Sequence, residues 1–403
     1  MDTTEIWQNL IQPSGGDIIY VIIDGVGGLP LNKKGTELEW ANTPKLDRIA
    51  KESACGLLEI IGPGITPGSG PGHMALFGYD PIKHQIGRGI LSALGVDFDL
   101  KKGDVAARIN FATVDSTGKV VDRRGGRIAT ATNQRLCKKI KDNVTLDMEG
   151  EFFLETVSEH RAVFILRGPN FYGSLRDTDP QQTGVKPLEP KALDENSQYT
   201  AEVTGSFIKQ AQEVLANEKN ANMILLRGFD RYQPLPGMKT RFGLKGVCIA
   251  EYPMYRGISR LLGLDIADPP KDLESSVDRL ESLYGTEYDF YFLHIKQTDS
   301  SGENGAFTKK VEIIESVDKL MPRVANLHSD VLVVTADHST PALMGMHSWH
   351  PVPLMIRSRF ARVDSVQAFN EEACLRGSLG LRPGLHLMGL ALAHARRFKK
   401  YGA

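Results

Sequence analysis

Asp17-Ile18-Ile19-Tyr20-Val21-Ile22-Ile23-Asp24-Gly25-Val26-Gly27-Gly28 is the stretch from which the architecture reads outward. Its apolar residues follow one another without alternating polar positions, so both faces of the strand must be covered. That is the pattern of a parallel strand inside an α/β sheet. The chain leaves it through a glycine-rich loop headed by one carboxylate, Asp24. Two further segments repeat the design. Residues 289–295 run into Lys296-Gln297-Thr298-Asp299, and residues 330–335 run into Ala336-Asp337-His338. Between them Val311, Ile314, Val317 and Leu320 recur at helical spacing, which predicts a crossover helix over 307–323, ended near Pro322. Strand, helix, strand in that order makes a right-handed βαβ unit. Asp24, Asp299 and Asp337 are therefore each expected just past the carboxyl end of a buried parallel strand, the edge where ligands bind in open α/β sheets. A lone aspartate in such a place most often caps the next helix. Three of them with His338 weigh differently.

A second stretch supplies a nucleophile. Residues 60–79 hold six glycines and three prolines in twenty positions, which excludes a helix interior or a central strand. Ser69 stands there between Gly68 and Gly70, its oxygen free of side-chain cover. From Met74 the chain turns apolar, so a helix is expected to open at Gly72–His73 with its N-terminal amides toward Ser69, an end that favours a phosphate. The loop taken by itself could equally be a surface turn.

Composition narrows the class. A chain of 403 residues has room for two domains, and 41% hydrophobic with 24% charged residues is the make-up of an ordinary globular protein. A net charge of −1 gives no case for nucleic acid or an anionic membrane as partner. Cys55, Cys137, Cys248 and Cys374 lie far apart without a CxxC pair, which argues against disulfides and thiolate zinc sites. With no apolar run of spanning length and no leader-like start, a cytoplasmic protein is expected, its oligomeric state open.

The middle of the chain changes texture. Short strands at 107–114, 120–122, 162–167 and 223–226, with a helix over 200–216, read as a smaller α+β domain inserted into the α/β one. The boundaries are set at 1–92 with 239–403 for the outer domain and 93–238 for the insertion, Pro234-Leu235-Pro236-Gly237 being the return linker. A closing amphipathic helix with a basic end is expected over 384–398.

Carboxylate oxygens and imidazole nitrogens suit a hard divalent cation, and phosphoryl transfer often employs two. Asp24, Ser69, Asp337 and His338 would make one site, and Asp299, Glu303 and His347 a second. A cation beside Ser69 would lower its hydroxyl pKa and make it a nucleophile at neutral pH, so the expected act is attack on a phosphate ester to give a phosphoserine.

These residues carry a resemblance. Val21–Gly25, the 65–81 block with Ser69, Asn110–Asp115, Asp122–Ile128, Asp177–Pro180, Gly243–Lys245 and Asp337–Pro341 resemble, in order and over nearly the whole chain, the archaeal-type 2,3-bisphosphoglycerate-independent phosphoglycerate mutases of the alkaline phosphatase superfamily. The resemblance implies an alkaline-phosphatase-like, mostly parallel sheet flanked by helices. It implies Ser69 as phosphoryl acceptor, Lys245 as a cation on the transferring group, and metal ligands at Asp24, Ser69, Asp299, Asp337, His338 and His347. The implied reaction interconverts 2- and 3-phosphoglycerate, as in glycolysis and gluconeogenesis, with two divalent ions, manganese first and magnesium, zinc or cobalt as alternatives. One departure stands out. The family's Asp-Glu-x-Gly-His-Asp-Gly reads Asp299-Ser-Ser-Gly-Glu303-Asn-Gly here, and a histidine, His350, has appeared where aspartate is usual. Three readings stand open: Glu303 stands in as an oxygen ligand, His350 supplies the imidazole, or the second site is weakened and the activity altered toward another phosphotransferase, a phosphatase or a non-catalytic homologue.

The inserted domain holds Arg123, Arg124, Arg127, Arg227 and Arg231, guanidinium groups suited to a phosphorylated carboxylic acid. Asp177 and Asp179 are read as acceptors for its hydroxyl groups. The expected partner is accordingly a small phosphorylated substrate.

Overall fold

The structure is a computed structural model and describes residues 4–12, 14–31 and 35–402. The opening Met-Asp-Thr, part of the start read for a leader, lies outside them. In chain order the strands are β1 (Ile18–Ile23), β2 (Ala54–Glu59), β3 (Val105–Val114), β4 (Val120–Asp122), β5 (Glu151–Ser158), β6 (Arg161–Arg167), β7 (Met223–Arg231), β8 (Gly246–Ile249), β9 (Asp265–Ile266), β10 (Phe290–Ile295), β11 (Val331–Thr335), β12 (Val352–Ser358) and β13 (Gly380–Pro383). The chain divides into two units: one runs up to Gln85 and resumes at Pro236, and the other is Ile86–Leu235. Position 93, the boundary expected from the sequence, falls inside the Arg88–Gly95 helix.

The first unit is built on an eight-stranded sheet in the order β13-β2-β12-β11-β1-β10-β8-β9. All six residues of β1 are buried, as an apolar run without alternation requires. β1 pairs in parallel with β10 on one side and β11 on the other, Ile18 lying opposite both Phe290 and Val331. That register brings the three strands to a common edge, so Asp24 and the loops after β10 and β11 leave the sheet together. The crossover helix connects β10 and β11 as expected, but β1 lies between the two strands. The helix runs Phe307–Ala325 and passes through Pro322, which sits in its last turn and accepts the closing bond from Asn326 N at 2.9 Å.

Two further expectations are corrected. The helix at the serine loop opens at Ser69 itself and runs to Leu76, because extended Gly68 caps it and Gly72 N already closes the first turn on Gly68 O at 2.9 Å. Pro71 is tolerated there because a first-turn N–H has no partner to lose. The C-terminal helix is short, Leu387–His394, and core-facing, with Leu387, Met388, Ala391 and Leu392 buried. Beyond it Arg397 is buried, donating to Asp289 Oδ1 and Gly16 O at 2.8 Å each, so its charge pins the sheet rather than meeting solvent.

The second unit has its own antiparallel sheet, β4-β3-β6-β5 with β7 also on β3, covered by helices Thr130–Asn143 and Gln198–Leu215. Its core is separate: Phe111, Phe164, Phe207, Leu136 and Ile140 pack together, and the rings of Phe164 and Phe207 stack at 4.1 Å. Among the described residues no helix is long and apolar enough to cross a membrane, and all four cysteines are free and buried.

Candidate functional site

Backbone register does the first part of the assembly. Asp24 N donates to Ile295 O at 2.9 Å, carrying the β1–β10 ladder one step past the strand and fixing the Asp24 backbone beside the β10 exit. Thr298 Oγ1 donates to Asp24 O at 2.5 Å and ties the turn that carries Asp299. The Ser69–Leu76 helix reaches this edge only because residue 72 is glycine: a Cβ there would lie 2.5 Å from Asp337 O. Ser69 Oγ consequently lies 3.2 Å from His338 Nε2. The same nitrogen is 3.3 Å from Asp24 Oδ1 and 3.2 Å from Asp337 Oδ2.

Among the described residues two groups of potential ligands result, Asp24 with Asp337 and His338, and Asp299 with His338 and His347, each with its donor atoms within 4.8 Å of one another. His338 belongs to both. Its ring stacks on that of His347 at 3.7 Å, and its Nδ1 meets Thr340 Oγ1, which donates to Asp299 Oδ1 at 2.7 Å. His347 Nε2 lies 3.5 Å from Asp299 Oδ1 and 3.7 Å from Glu303 Oε1.

Three buried carboxylates at this spacing repel one another, and organic cations relieve only part of that repulsion. Lys296 Nζ sits 3.1 Å from Asp24 Oδ2 and contacts Asp299 Oδ2. Burial pushes the Asp24 carboxyl upward, but Lys296 and the His294 and His338 imidazoles against it outweigh that and hold the group well below the carboxylate range. Burial and then the Asp24 charge push Asp337 the other way. Burial holds His73 and His294 down to about 4, so both are neutral, while Lys296 rises because Asp24 and Asp299 outweigh its own burial. Asp24 Oδ1 and Asp337 Oδ2 are buried and make no hydrogen bond. A hard cation is what such a pair of orphaned oxygens beside an imidazole fits.

The structure thus brings together Asp24, Ser69, Asp299, Asp337, His338 and His347, with Glu303 at their exposed margin. It does not bring Lys245. That residue precedes β8, at the level of Asp289, whose amide donates to its carbonyl. From there to Asp24 is the length of the sheet, roughly 20 Å at 3.3 Å per residue. Its ammonium pairs with Glu287 instead. His350 lies in neither ligand group; its Nδ1 meets Ser348 Oγ at 3.1 Å and its ring stacks on Trp349.

Four residues of the site went unread in the sequence: Lys296, His294, Tyr255 and Thr340. Tyr255 OH donates to Asp24 Oδ2 while its ring stacks on His294 at 3.6 Å, and His294 Nε2 lies 3.3 Å from Asp24 Oδ2. Lys296 and His294 did carry a signal, since both stand at the exit of β10 within five residues of Asp299.

In the second unit Arg123 grips Asp179 with two bonds of 2.8 Å, and Arg227 Nη1 approaches the same carboxylate at 3.5 Å. Asp177 accepts from Gly228 N at 2.7 Å. Both carboxylates thus also hold structure within the unit, Asp177 at the Gly228 backbone and Asp179 between two arginines. Arg124 and Arg127 are exposed, and Arg231 lies over the Tyr172 ring at 4.2 Å.

Fold and site together define a class: an α/β protein with a serine at a helix N-terminus against a carboxylate–imidazole cluster suited to divalent cations. Residues 50–221 match a family model described as 2,3-bisphosphoglycerate-independent phosphoglycerate mutase. A Thermus thermophilus protein named as a probable enzyme of that kind is 47% identical over 407 residues, covering 100% of both chains. Among solved structures, a Pyrococcus horikoshii protein superposes with a TM-score of 0.82 at 28% identity, over 96% of this chain and 100% of its own. The cofactor-independent phosphoglycerate mutase of Thermoplasma acidophilum gives 0.69 at 27% identity, over 94% and 100%. The chain belongs to the 2,3-bisphosphoglycerate-independent phosphoglycerate mutase family.

Proposed function

We propose that this protein interconverts 3-phosphoglycerate and 2-phosphoglycerate through a phosphoserine at Ser69, the reaction of glycolysis and gluconeogenesis. The observation that carries the reading is the position of Ser69 Oγ, 3.2 Å from the imidazole shared by both ligand groups. Asp24, Ser69, Asp337 and His338 would hold one divalent ion, and Asp299, Glu303 and His347 the other. The mix of oxygen and imidazole donors suits manganese or magnesium. Bound there, the ions supply positive charge that offsets the buried carboxylates and eases ionisation of the serine.

The chain's own groups do the rest. Ser69 Oγ attacks phosphorus, the bond to the glycerate oxygen breaks, and the proton given up by the serine goes to that oxygen. In the return step the other glycerate hydroxyl attacks and Ser69 is restored, so atoms balance without a further reactant. Lys296 supplies a fixed cation at the cluster and is read as the charge on the transferring group in place of Lys245, for which the resemblance suggested that role. The N–H groups of Ser69 and Gly70, at the open end of the helix, favour the transferring phosphoryl group. In the second unit Arg123, Arg124, Arg127, Arg227 and Arg231 are read as the set for the substrate's acid group, with Asp179 holding Arg123 and Arg227 in place.

A metal-titrated assay tests this. With manganese and 3-phosphoglycerate, 2-phosphoglycerate should form without free phosphate; release of phosphate alone would assign a phosphatase instead.

A further inference from the structure

At the other edge of the main sheet lies a cavity of about 520 Å³ that the reaction does not use. It is bounded by the Pro44–Ala50 helix, the end of the Phe307–Ala325 helix, the turn into β11 and the end of β12. Ser358 pairs with Val331, the first residue of β11, and Val331 lies level with Ile18, so the cavity sits at the strand ends opposite Asp24. Its lining is strongly basic: Lys45, Arg48, Arg357 and Arg359 face a single carboxylate, Glu52. Burial draws the Arg357 guanidinium down, and Glu52 alone acts to restore it. Arg357 Nη2 donates to Ala325 O at 2.8 Å, which fixes the group in the wall.

A second observation points to a ligand. Ser329 also lines the cavity, is only 9% exposed, and its Oγ is buried without a hydrogen-bond partner. A buried hydroxyl left so costs stability unless something accepts from it or donates to it. The volume is that of a small-molecule site.

We propose that this cavity is an anion-binding site, separate from the serine cluster, that takes a small phosphate-bearing molecule. Arg357 and the exposed Arg48 and Arg359 supply the charge, and the Ser329 hydroxyl bonds a phosphate oxygen. The site does not depend on the mutase reading. Inorganic phosphate is the probe, titrated calorimetrically into the full-length protein at fixed ionic strength, with wild type compared to Arg48→Ala/Arg359→Ala, Ser329→Ala and Lys296→Met. One saturable class of sites should weaken at least about tenfold in the double variant and several-fold in Ser329→Ala, and stay within about twofold in Lys296→Met. Ser329→Ala should melt no lower than wild type, since its hydroxyl bonds nothing in the protein, which separates ligand loss from misfolding. Absence of saturable binding in wild type, equal binding by the double variant, or loss of all binding in Lys296→Met would overturn the proposal. Mutase activity of the double variant, measured alongside, should stay within about twofold and reports on the catalytic reading by itself.

Discussion

Lys296 Nζ lies between the Asp24 and Asp299 carboxylates, and its removal leaves the two facing each other without a fixed cation. Lys296→Met should lower kcat by about 10²–10³, the scale for losing one preorganised charge at a phosphoryl group. Lys245→Met should change it by no more than about twofold, as expected of a surface pair with Glu287. Steady-state kinetics on the two variants decides between the lysines; equal losses would contradict the placement. Asp337 carries a pH prediction. Burial and the Asp24 charge raise its carboxyl, so in metal-free protein it keeps its proton above the ordinary carboxylate range, yet a cation requires the ionised form. Metal affinity should therefore climb with pH through that raised pKa and then level, with proton release on binding below it. His338 is pushed down by burial and is already neutral near pH 7, so it adds no further slope there. Calorimetry in buffers of different ionisation enthalpy measures the protons released.

Elements place these residues through glycines. Gly72 lets the serine helix lie against the exit of β11, since a Cβ would come 2.5 Å from Asp337 O. Gly72→Ala should cost ~1–3 kcal/mol by overpacking and should weaken metal binding as Asp337 shifts. A melting curve and a metal titration on that variant check both; unchanged metal affinity would contradict the coupling. This is also where the sequence could be read and where it could not. The runs ending in Asp24, Asp299 and Asp337 were legible because a strand buried on both faces writes its burial into consecutive residues. Lys296 was not, because a lysine after a strand is usually solvated and only the closeness of two aspartates from different elements reverses that. β5 and the Thr130–Asn143 helix were missed because β5 is a half-buried edge strand and the helix turns only Asn133, Leu136, Cys137 and Ile140 inward. Lys245 was misplaced because a motif gives a residue's neighbours in the chain and not the sheet edge it occupies.

At the scale of the molecule, the chain is two bodies with separate cores. Residues 86–235 have a five-stranded sheet, two long helices and a packed aromatic centre. Expressed alone, they should fold cooperatively and show dispersed amide resonances; a collapsed state without a melting transition would contradict their independence. All the metal-ligand candidates lie in the other unit, so the isolated fragment should bind no manganese at the affinity of the whole protein.

The central claim is that Ser69 takes the phosphoryl group. Rapid quenching of the manganese-loaded protein with 3-phosphoglycerate, followed by peptide mass spectrometry, should find one phosphoryl group on the peptide containing Ser69, and Ser69→Ala should lose both that label and at least about 10³-fold in activity. A label on another residue, or isomerisation that persists in Ser69→Ala, would contradict the account.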